Sequence, residues 1–263
     1  MSFQIHLLPA FADNYIPLIA DLDLGLAMVV DPGDAAVVDR TLKEHNLSLT
    51  LILNTHHHND HIGGNQKLAH DYGAPIIAPT QERGRIKDIT RGVVQGDTVT
   101  FSTLRGDVIE THGHTSGHIS YYFPALKALF CGDTLFSLGC GRLFEGTAPQ
   151  MWESLKRLRS LPDDTQVYCA HEYTLANAKF ATAVDPDNQA LKDRVAEAKA
   201  LRKNNTPTIP TLMGVEKATN PFLRADDPTF AKRLNKMGLA ATGTDAAAVF
   251  GGLRAAKDRF KAA

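Results

Sequence analysis

Four of the eleven histidines in this 263-residue chain lie within six positions, in the segment THHHNDH at residues 55–61. The segment directly follows an apolar run at residues 49–53, which predicts a β-strand. Gly63 and Gly64 come just after it, where they let the backbone bend tightly before the next helix. Metal-binding side chains at this density are typical of a metal site rather than of a solvated loop. The chain is therefore expected to be a sheet-based metalloprotein.

The alternation of side chains along a strand sorts this cluster into two groups. It sends His56 and His58 to one side and His57 to the other. The first two imidazoles then form half of a metal site. Asp60 and His61 follow after the chain has turned, so they are expected to face a second ion nearby.

Three later residues offer the additional ligands that such a site needs. His114, Asp133 and His171 each follow an apolar run that predicts a strand. Each one alone is weak evidence, since a carboxylate such as Asp133 also serves as a turn residue or a helix cap. Together with the first cluster, they place histidine or aspartate at the ends of four predicted strands, which is where a sheet-based protein builds its site.

Short strands dominate the first part of the chain and helices dominate the rest. Apolar runs predict strands, whereas apolar spacings of three to four residues predict helices. The predicted strands are residues 27–30, 49–53, 74–78, 98–101, 107–110, 119–123, 128–131 and 166–169. The predicted helices are residues 35–45, 65–72, 151–161, 228–237, 245–261 and one that starts near Asp185-Pro186 and includes 191–201. Residues 204–221 are rich in Thr, Pro and Asn and predict a long loop with little regular structure.

Charge and composition limit the partners. The formal net charge of −1 argues against a chain whose main role is to coat nucleic acid or an anionic membrane. This sum hides a division: residues 1–190 carry 14 Lys and Arg against 22 Asp and Glu, whereas residues 191–263 carry 14 against 7. Three cysteines cannot form a closed disulfide framework. The N-terminal segment has no basic leader and charges interrupt its apolar stretch, so a cytoplasmic protein without a membrane span is expected.

The segment 55–61, with the later His114, Asp133 and His171, resembles the pattern of the metallo-β-lactamase superfamily. The resemblance implies an α/β fold, a four-layer α/β/β/α sandwich with two metal ions at one edge, followed by a smaller α-helical C-terminal domain. It places a metal-binding catalytic domain at residues 1–172 and a helical substrate-binding domain at residues 173–263.

The resemblance also implies a ligand set for two divalent ions. The first ion would be held by His56, His58 and His114, and the second by Asp60, His61 and His171. Asp133 would bridge both, and His118 would pack beside the first ion without binding it. Five imidazoles and two carboxylates suit zinc first, with iron or manganese as the alternatives. Two such ions would supply a hydroxide nucleophile, with Asp60 and Asp133 as the catalytic carboxylates.

Other segments are similar to the glyoxalase II (hydroxyacylglutathione hydrolase) family from one end of the chain to the other. They are residues 9–15 (PAFADNY), 31–35 (DPGDA), 132–136 (GDTLF), 139–142 (GCGR), 171–174 (HEYT), 220–224 (NPFLR) and 254–261 (RAAKDRFK). The resemblance implies hydrolysis of S-D-lactoylglutathione, and of other S-2-hydroxyacylglutathiones, to glutathione and D-lactate or the corresponding acid. This reaction is the second step of methylglyoxal detoxification.

The same resemblance indicates where glutathione binds. Arg254 and Lys257 are three residues apart on a predicted helix and share a face. They would hold the glycine carboxylate, with Arg254 donating two parallel hydrogen bonds. Tyr173 and Arg142 would make further contacts. Phe144 stands where some relatives carry a tyrosine that contacts glutathione, so one substrate hydrogen bond is expected to be missing.

Three alternatives remain open on the sequence alone. A lactonase or lactamase of the same fold would not need the Arg254 and Lys257 pair. A glutathione persulfide dioxygenase would take similar conjugates but would need a single iron. A nucleic-acid-binding module could use the basic C-terminal region, although no basic run with interleaved aromatic residues supports it. The sequence favours a monomeric thioester hydrolase with two metal ions and a small-molecule substrate.

Overall fold

The computed structural model describes residues 2–239 and 245–260. The chain forms two compact units, each of which is described by itself. Unit 1 comprises Met1–Glu110 and Gly117–Gly132, and unit 2 comprises Thr111–Ser116 and Asp133–Ala263. The end of the predicted helix at residues 245–261, including Lys261, lies outside the described residues. Within the described ranges, no helix combines the length and the apolar character needed to cross a bilayer.

Unit 1 contains a mixed sheet whose strands neighbour one another in sequence order. These strands are β1 (Phe3–Ala10), β2 (Asn14–Asp21), β3 (Leu26–Val30), β4 (Ser48–Leu53), β5 (Ile76–Pro79) and β6 (Arg91–Val93). β1, β2 and β3 pair antiparallel, whereas β3, β4, β5 and β6 pair parallel. The carboxyl ends of the parallel strands therefore meet at one edge of this sheet, and the histidine segment follows β4 at that edge.

The helices of unit 1 are α1 (Ala35–Glu44), the single turn α2 (Asn59–Ile62) and α3 (Asn65–Tyr72). Asp34 caps α1, because its carboxylate accepts a hydrogen bond from the N–H of Ala36 at 2.9 Å. Gly73 ends α3 in the left-handed conformation, with φ 65°. Both boundaries agree with the turn chemistry of the sequence.

Unit 1 also contains the antiparallel strands β7 (Thr98–Phe101), β8 (Leu104–Glu110), β9 (Ile119–Phe123) and β10 (Ala128–Phe130), again in sequence order. Tyr121 on β9 is fully buried and connects these strands to the first sheet. Its hydroxyl donates to the carbonyl oxygen of Asn54 at 2.9 Å, just after β4. This pairing satisfies a hydroxyl that burial would otherwise make costly.

The core of unit 1 lies between the first sheet and its helices. Leu18, Val29 and Ile52 on the strands pack in one buried cluster with Leu42 of α1 and Leu68 of α3. Burying side chains of this size stabilises a fold by about 1.5–3 kcal/mol each. This packing fixes the strand ends from which the site is built.

Unit 2 is largely helical. Its elements are β11 (Leu135–Phe136), β12 (Gly139–Cys140), α4 (Ala148–Arg159), β13 (Gln166–Tyr168), α5 (Thr174–Val184), α6 (Gln189–Lys203), β14 (Thr211–Leu212), α7 (Met213–Thr219), α8 (Pro228–Lys236) and α9 (Ala246–Arg259). β11 and β12 form a short hairpin, and β13 pairs with β14 antiparallel. Aromatic side chains join the helices, since Trp152 of α4 stacks on Phe250 of α9 with ring centroids 6.3 Å apart.

A buried carboxylate connects α7 to the β11–β12 hairpin. Glu216 is fully buried and accepts hydrogen bonds from the Leu138 N–H at 2.8 Å and the Ser137 hydroxyl at 3.0 Å. Thr211 and Asn220 donate to the same carboxylate at 2.9 and 3.0 Å. Burial raises the pKa of the Glu216 carboxyl, while these donors oppose the rise by favouring the charged form. The bonds from Ser137 and Leu138 connect the hairpin to α7, and those from Thr211 and Asn220 help to satisfy the buried charge.

Two of the predicted elements are wrong. Residues 204–221 are not a long loop, because β14 and α7 lie within them. The buried contacts of Met213 and Glu216 override the loop-forming composition there. The helix expected from Asp185-Pro186 begins instead at Gln189, where Asn188 caps it by accepting a hydrogen bond from the Leu191 N–H at 3.1 Å. The sequence patterns also do not predict β1, β2 or α5.

Candidate metal centre and substrate pocket

The residues after β4 place two histidines side by side and a third apart from them. The ring atoms His56 Nε2 and His58 Nδ1 lie 3.0 Å apart. His57 instead faces Glu82, with 3.1 Å between its Nδ1 and the carboxylate. The alternation of side chains thus gives the division that the sequence predicts. His118 is fully buried and stacks on His56 with ring centroids 4.7 Å apart.

Asp60 and His61 lie on the single turn α2, beside the first pair. The His61 ring is buried, and its centroid is 4.1 Å from that of His56. Asn14, the first residue of β2, donates from its side-chain amide to Asp60 Oδ2 at 3.0 Å. This hydrogen bond orients the Asp60 carboxylate, and the strand and helix patterns of the sequence do not predict it.

Asp31 is the site residue that the sequence misses. Its buried carboxylate accepts hydrogen bonds from the N–H and the hydroxyl of Thr55 at 2.7 and 2.6 Å, and lies 3.1 Å from His61 Nδ1. Asp31, His56 and His61 each offer one ligand atom, and these atoms lie within 4.8 Å of one another. The sequence presents Asp31 only as part of an Asp-Pro-Gly turn. Its position at the end of β3, the parallel neighbour of β4, is the signal that could have revealed it.

The contacts of His61 fit a metal ion. Its Nδ1 lies beside the Asp31 carboxylate, so the neutral tautomer that donates from Nδ1 would present its Nε2 lone pair on the other side of the ring. That Nε2 lies 3.5 Å from Asp60 Oδ2, which is also an acceptor. A divalent ion between this nitrogen and the Asp60 carboxylate would be coordinated by both.

Gly63 and Gly64 are needed because neighbouring backbone lies close to them, and not because the chain bends tightly there. Their φ angles of −58° and −86° are open to any residue. A Cβ on Gly63 would lie 2.7 Å from the carbonyl oxygen of Gly33, and one on Gly64 would overlap the carbonyl oxygen of Pro32. The two glycines let the loop that contains Asp31 lie against the start of α3.

Unit 2 arranges two histidines around one carboxylate. His114 Nε2 lies 3.3 Å from Asp133 Oδ2, and His171 Nε2 lies 3.4 Å from Asp133 Oδ1. The other nitrogen of His114, Nδ1, donates to the carbonyl oxygen of Arg142 at 3.0 Å. The Nε2 lone pair of His114 therefore faces a carboxylate oxygen, as in unit 1, and this donor set also fits a cation.

A cavity of about 480 Å³ in unit 2 gathers the residues predicted to bind substrate. Arg142, Tyr173, Arg254 and Lys257 all line it, together with His114, Asp133 and Phe144. A volume of this size accommodates a small-molecule ligand. The structure thus places metal-ligand candidates and substrate-contact candidates on the wall of one cavity.

Arg254 is not on a solvated face of α9, since it is only 4% exposed. Its two terminal nitrogens donate to the Cys140 carbonyl oxygen at 2.9 Å and to Asp258 at 2.8 Å. In the described part of the chain, no acceptor reaches the buried Nε of Arg254. Lys257 donates to the Ala176 carbonyl oxygen at 3.0 Å. Burial, together with the positive charges of Arg254 and Arg142, lowers the pKa of the Lys257 ammonium to about 8.

Aromatic rings line the same cavity. The Tyr173 ring stacks on His171 with centroids 4.8 Å apart and an interplanar angle of 2°. Phe144 is exposed, and its ring centroid is 5.1 Å from that of His114. Each ring thereby limits the motion of a histidine that faces Asp133.

Two family models together match nearly the whole chain. The Metallo-beta-lactamase superfamily model matches residues 19–171, and the model for the Hydroxyacylglutathione hydrolase C-terminus matches residues 172–260. The hydroxyacylglutathione hydrolase of Bradyrhizobium sp. (strain ORS 278) is 49% identical over 259 residues, which cover 98% of this chain and 100% of that relative. The hydroxyacylglutathione hydrolase of Gloeobacter violaceus (strain ATCC 29082 / PCC 7421) is 48% identical over 257 residues, which cover 97% and 99%.

A solved structure supports the same relationship. ETHE1 from Myxococcus xanthus is 27% identical, superposes with a TM-score of 0.65, and the match covers 98% of this chain and 100% of that chain. The expected fold class is confirmed, as a metallo-β-lactamase domain with mixed sheets is followed by a helical C-terminal domain. The superfamily implies a dinuclear site for divalent metal ions, and histidine and aspartate clusters of suitable chemistry are present. The chain belongs to the hydroxyacylglutathione hydrolase family of the metallo-β-lactamase superfamily.

Proposed function

We propose that this protein hydrolyses the thioester of S-D-lactoylglutathione, and of other S-2-hydroxyacylglutathiones, to glutathione and a 2-hydroxy acid. The observation that supports this most directly is the cavity of unit 2. It is lined both by His114 and Asp133 and by the cationic side chains of Arg254 and Lys257. An anionic thioester needs both kinds of group, one for the reacting carbonyl and one for the carboxylates of the tripeptide.

The proposed ligands of the two ions are those that the sequence predicts. They are His56, His58 and His114 for the first ion, Asp60, His61 and His171 for the second, and Asp133 for both. The two oxygens of Asp133, each facing a different histidine, support its shared role. Zinc is the proposed metal, with iron or manganese as the alternatives. Divalent ions held by these residues would activate a water molecule as the nucleophile at neutral pH and would polarise the thioester carbonyl.

The chain's own residues would position the substrate and manage charge. Arg254 and Lys257 would hold the glycine carboxylate of glutathione, and the unpaired Nε–H of Arg254 supports this role. Arg142 and Tyr173 would make further contacts. Asp60, oriented by Asn14, would accept a proton during the reaction. The departing thiolate is a stable anion, so it needs little protonation to leave.

A cysteine nucleophile does not fit the structure. Burial raises the pKa of Cys140 to about 11 and that of Cys169 to about 12. Both thiols are therefore protonated and weakly nucleophilic at neutral pH. All three cysteines are buried and none forms a disulfide, which supports the further proposal of a reducing, cytoplasmic location.

We also propose a monomer with a catalytic domain at residues 1–172 and a substrate-binding domain at residues 173–263. The adjoining ranges of the two family models, 19–171 and 172–260, support this boundary. It follows the ligand His171 directly, so the helical domain would contribute substrate contacts and no metal ligand.

A single preparation can test the proposed function. The purified protein is analysed for bound metals by mass spectrometry and assayed with S-D-lactoylglutathione and with a lactone. We expect about two divalent ions per chain and turnover of the thioester that exceeds turnover of the lactone. Turnover of the lactone alone, or metal-free protein that hydrolyses the thioester, would contradict the proposal.

The lowered pKa of Lys257 predicts a pH-dependent substrate affinity. The ammonium is charged below pH 8 and neutral above it, so its attraction for a substrate carboxylate is lost as the pH rises through this value. We expect KM to rise by up to about tenfold between pH 7 and pH 9. Lys257→Arg should abolish this rise, because a guanidinium stays charged in this range. The same substrate is used with both proteins, so any titration of the substrate cancels; equal profiles would contradict the prediction.

A further inference from the structure

The hairpin between β1 and β2 presents an apolar ring on a strained backbone. Phe11 follows β1 directly and has a φ of 51°, in the left-handed region that bulky residues avoid. Its side chain is nevertheless 61% exposed, so core packing does not hold it there. Residues in such conformations cluster at functional sites, where the strain is tolerated because the side chain is needed.

The other residues with positive φ show that Phe11 is unusual. Most of them are polar, such as Asp31 and Asn46, and aspartate and asparagine tolerate this conformation well. Leu138 is apolar, but it is fully buried, and its packing accounts for it. Among the described residues, Phe11 is the one exposed apolar side chain at a positive φ. Neither local preference nor burial explains its presence.

The contacts of Phe11 place it beside the residues proposed to bind metal. Its ring atom Cε2 lies 3.0 Å from the position that a Cβ on Gly33 would occupy. The same Cβ would overlap the carbonyl oxygen of Asp60, so the ring, Gly33 and Asp60 meet at one point. Asn14, on the other side of the same turn, donates to the Asp60 carboxylate at 3.0 Å. The tip of the hairpin is therefore fixed against α2, all within unit 1.

We propose that Phe11 determines specificity, by forming an apolar wall against the acyl group of the thioester. The inference rests on the proposed function, because the acyl carbon must approach the ions that Asp60 would help to hold. The Phe11 ring is exposed, so an apolar acyl group that covers it would remove apolar surface from water on both sides. This burial favours binding. Thioesters with a large apolar group on the 2-hydroxyacyl carbon would gain more than the small lactoyl group.

The experiment compares S-D-lactoylglutathione with S-mandeloylglutathione, whose acyl group carries a phenyl ring. We expect Phe11→Ala to lower kcat/KM for the mandeloyl thioester about tenfold, and that for the lactoyl thioester less than about threefold. Phe11→Leu, which keeps an apolar group, should fall between the wild type and Phe11→Ala. Leu24→Ala is the matched control, because Leu24 is 63% exposed in the turn between β2 and β3.

A glycine variant separates recognition from stability. Phe11→Gly removes the ring and also relieves the strain, since glycine adopts a positive φ readily. Its Tm should be no lower than that of the wild type, while its preference for the mandeloyl thioester falls as in Phe11→Ala. An unchanged ratio of the two kcat/KM values in both variants would overturn the inference, as would an equal loss for both substrates together with a lower Tm. A wild-type protein that hydrolyses neither thioester would instead refute the proposed function.

Discussion

Asp133→Ala should lose both bound metal and turnover. The carboxylate contacts His114 through one oxygen and His171 through the other, and it is the group in unit 2 that brings negative charge to both. Without it, each of the two ions would lose one of its proposed ligands and the negative charge of Asp133, so both ions should bind far more weakly. Since metal ions contribute several kcal/mol of transition-state stabilisation, kcat should fall by at least about 10³-fold. Metal content by mass spectrometry and hydrolysis of S-D-lactoylglutathione, measured on the same sample, check this result.

Two further variants sharpen the test. Asp133→Asn keeps the shape but not the charge, so it should resemble Asp133→Ala in metal content. Asp163→Ala is the control, because the Asp163 side chain is 76% exposed and pairs with Lys217 away from the cavity lining. That control should keep its metal and its activity. Full turnover by metal-depleted Asp133→Ala would refute a metal-dependent mechanism.

Asp31→Asn should weaken the site without removing a proposed ligand. Asp31 accepts the proton of His61 Nδ1 and both donors of Thr55. An asparagine carries an amide N–H₂ in place of one carboxylate oxygen. That N–H₂ would face a hydrogen-bond donor of Thr55 or His61, and two donors cannot bond to each other. Loss of such an orienting partner typically costs about 10–100-fold in metal affinity or activity. Metal affinity is measured by competition with a chelator, and kcat with the lactoyl thioester.

Stability separates this orienting role from a purely structural one. Asp31→Ala leaves the buried N–H of Thr55 without its acceptor, which should destabilise the fold by about 1–3 kcal/mol in denaturant unfolding. Asp34→Ala is the matched control in the same loop, where loss of the α1 cap costs about 1 kcal/mol. The control should leave metal affinity unchanged. Wild-type metal affinity in Asp31→Asn would show that Asp31 only supports the loop.

The candidate ligands could be found from the sequence because their signal is local. His56, His58, Asp60 and His61 lie in one segment, and strand alternation is enough to sort them. Asp31 could not be assigned in this way, since its role depends on the parallel pairing of β3 with β4. Parallel pairing brings strand ends together across long separations in sequence, and no local pattern records it.

The helices also show that local sequence patterns do not reveal contacts between distant residues. The helix α9 is predicted from its apolar spacing, and in the structure Asp245 caps it by accepting a hydrogen bond from the Ala248 N–H. The helix α7 is missed because the Thr, Pro and Asn residues around it predict a loop. It also buries Glu216, a charged residue whose partners Ser137 and Leu138 lie 79 and 78 residues away. A buried charge contradicts the pattern that predicts a helix, and only the distant donors make it tolerable.

The contacts of Glu216 and Asn220 connect α7 to the segment that follows Asp133. Asn220 donates to the carbonyl oxygens of Phe136 and Gly139, so α7 and the residue after it hold both sides of the β11–β12 hairpin. That hairpin continues directly from Asp133. A chain that ended at residue 172 would keep every proposed metal ligand but would expose backbone groups that the C-terminal helices now satisfy. The C-terminal helices therefore support the segment that follows Asp133, in addition to lining the cavity proposed to bind glutathione.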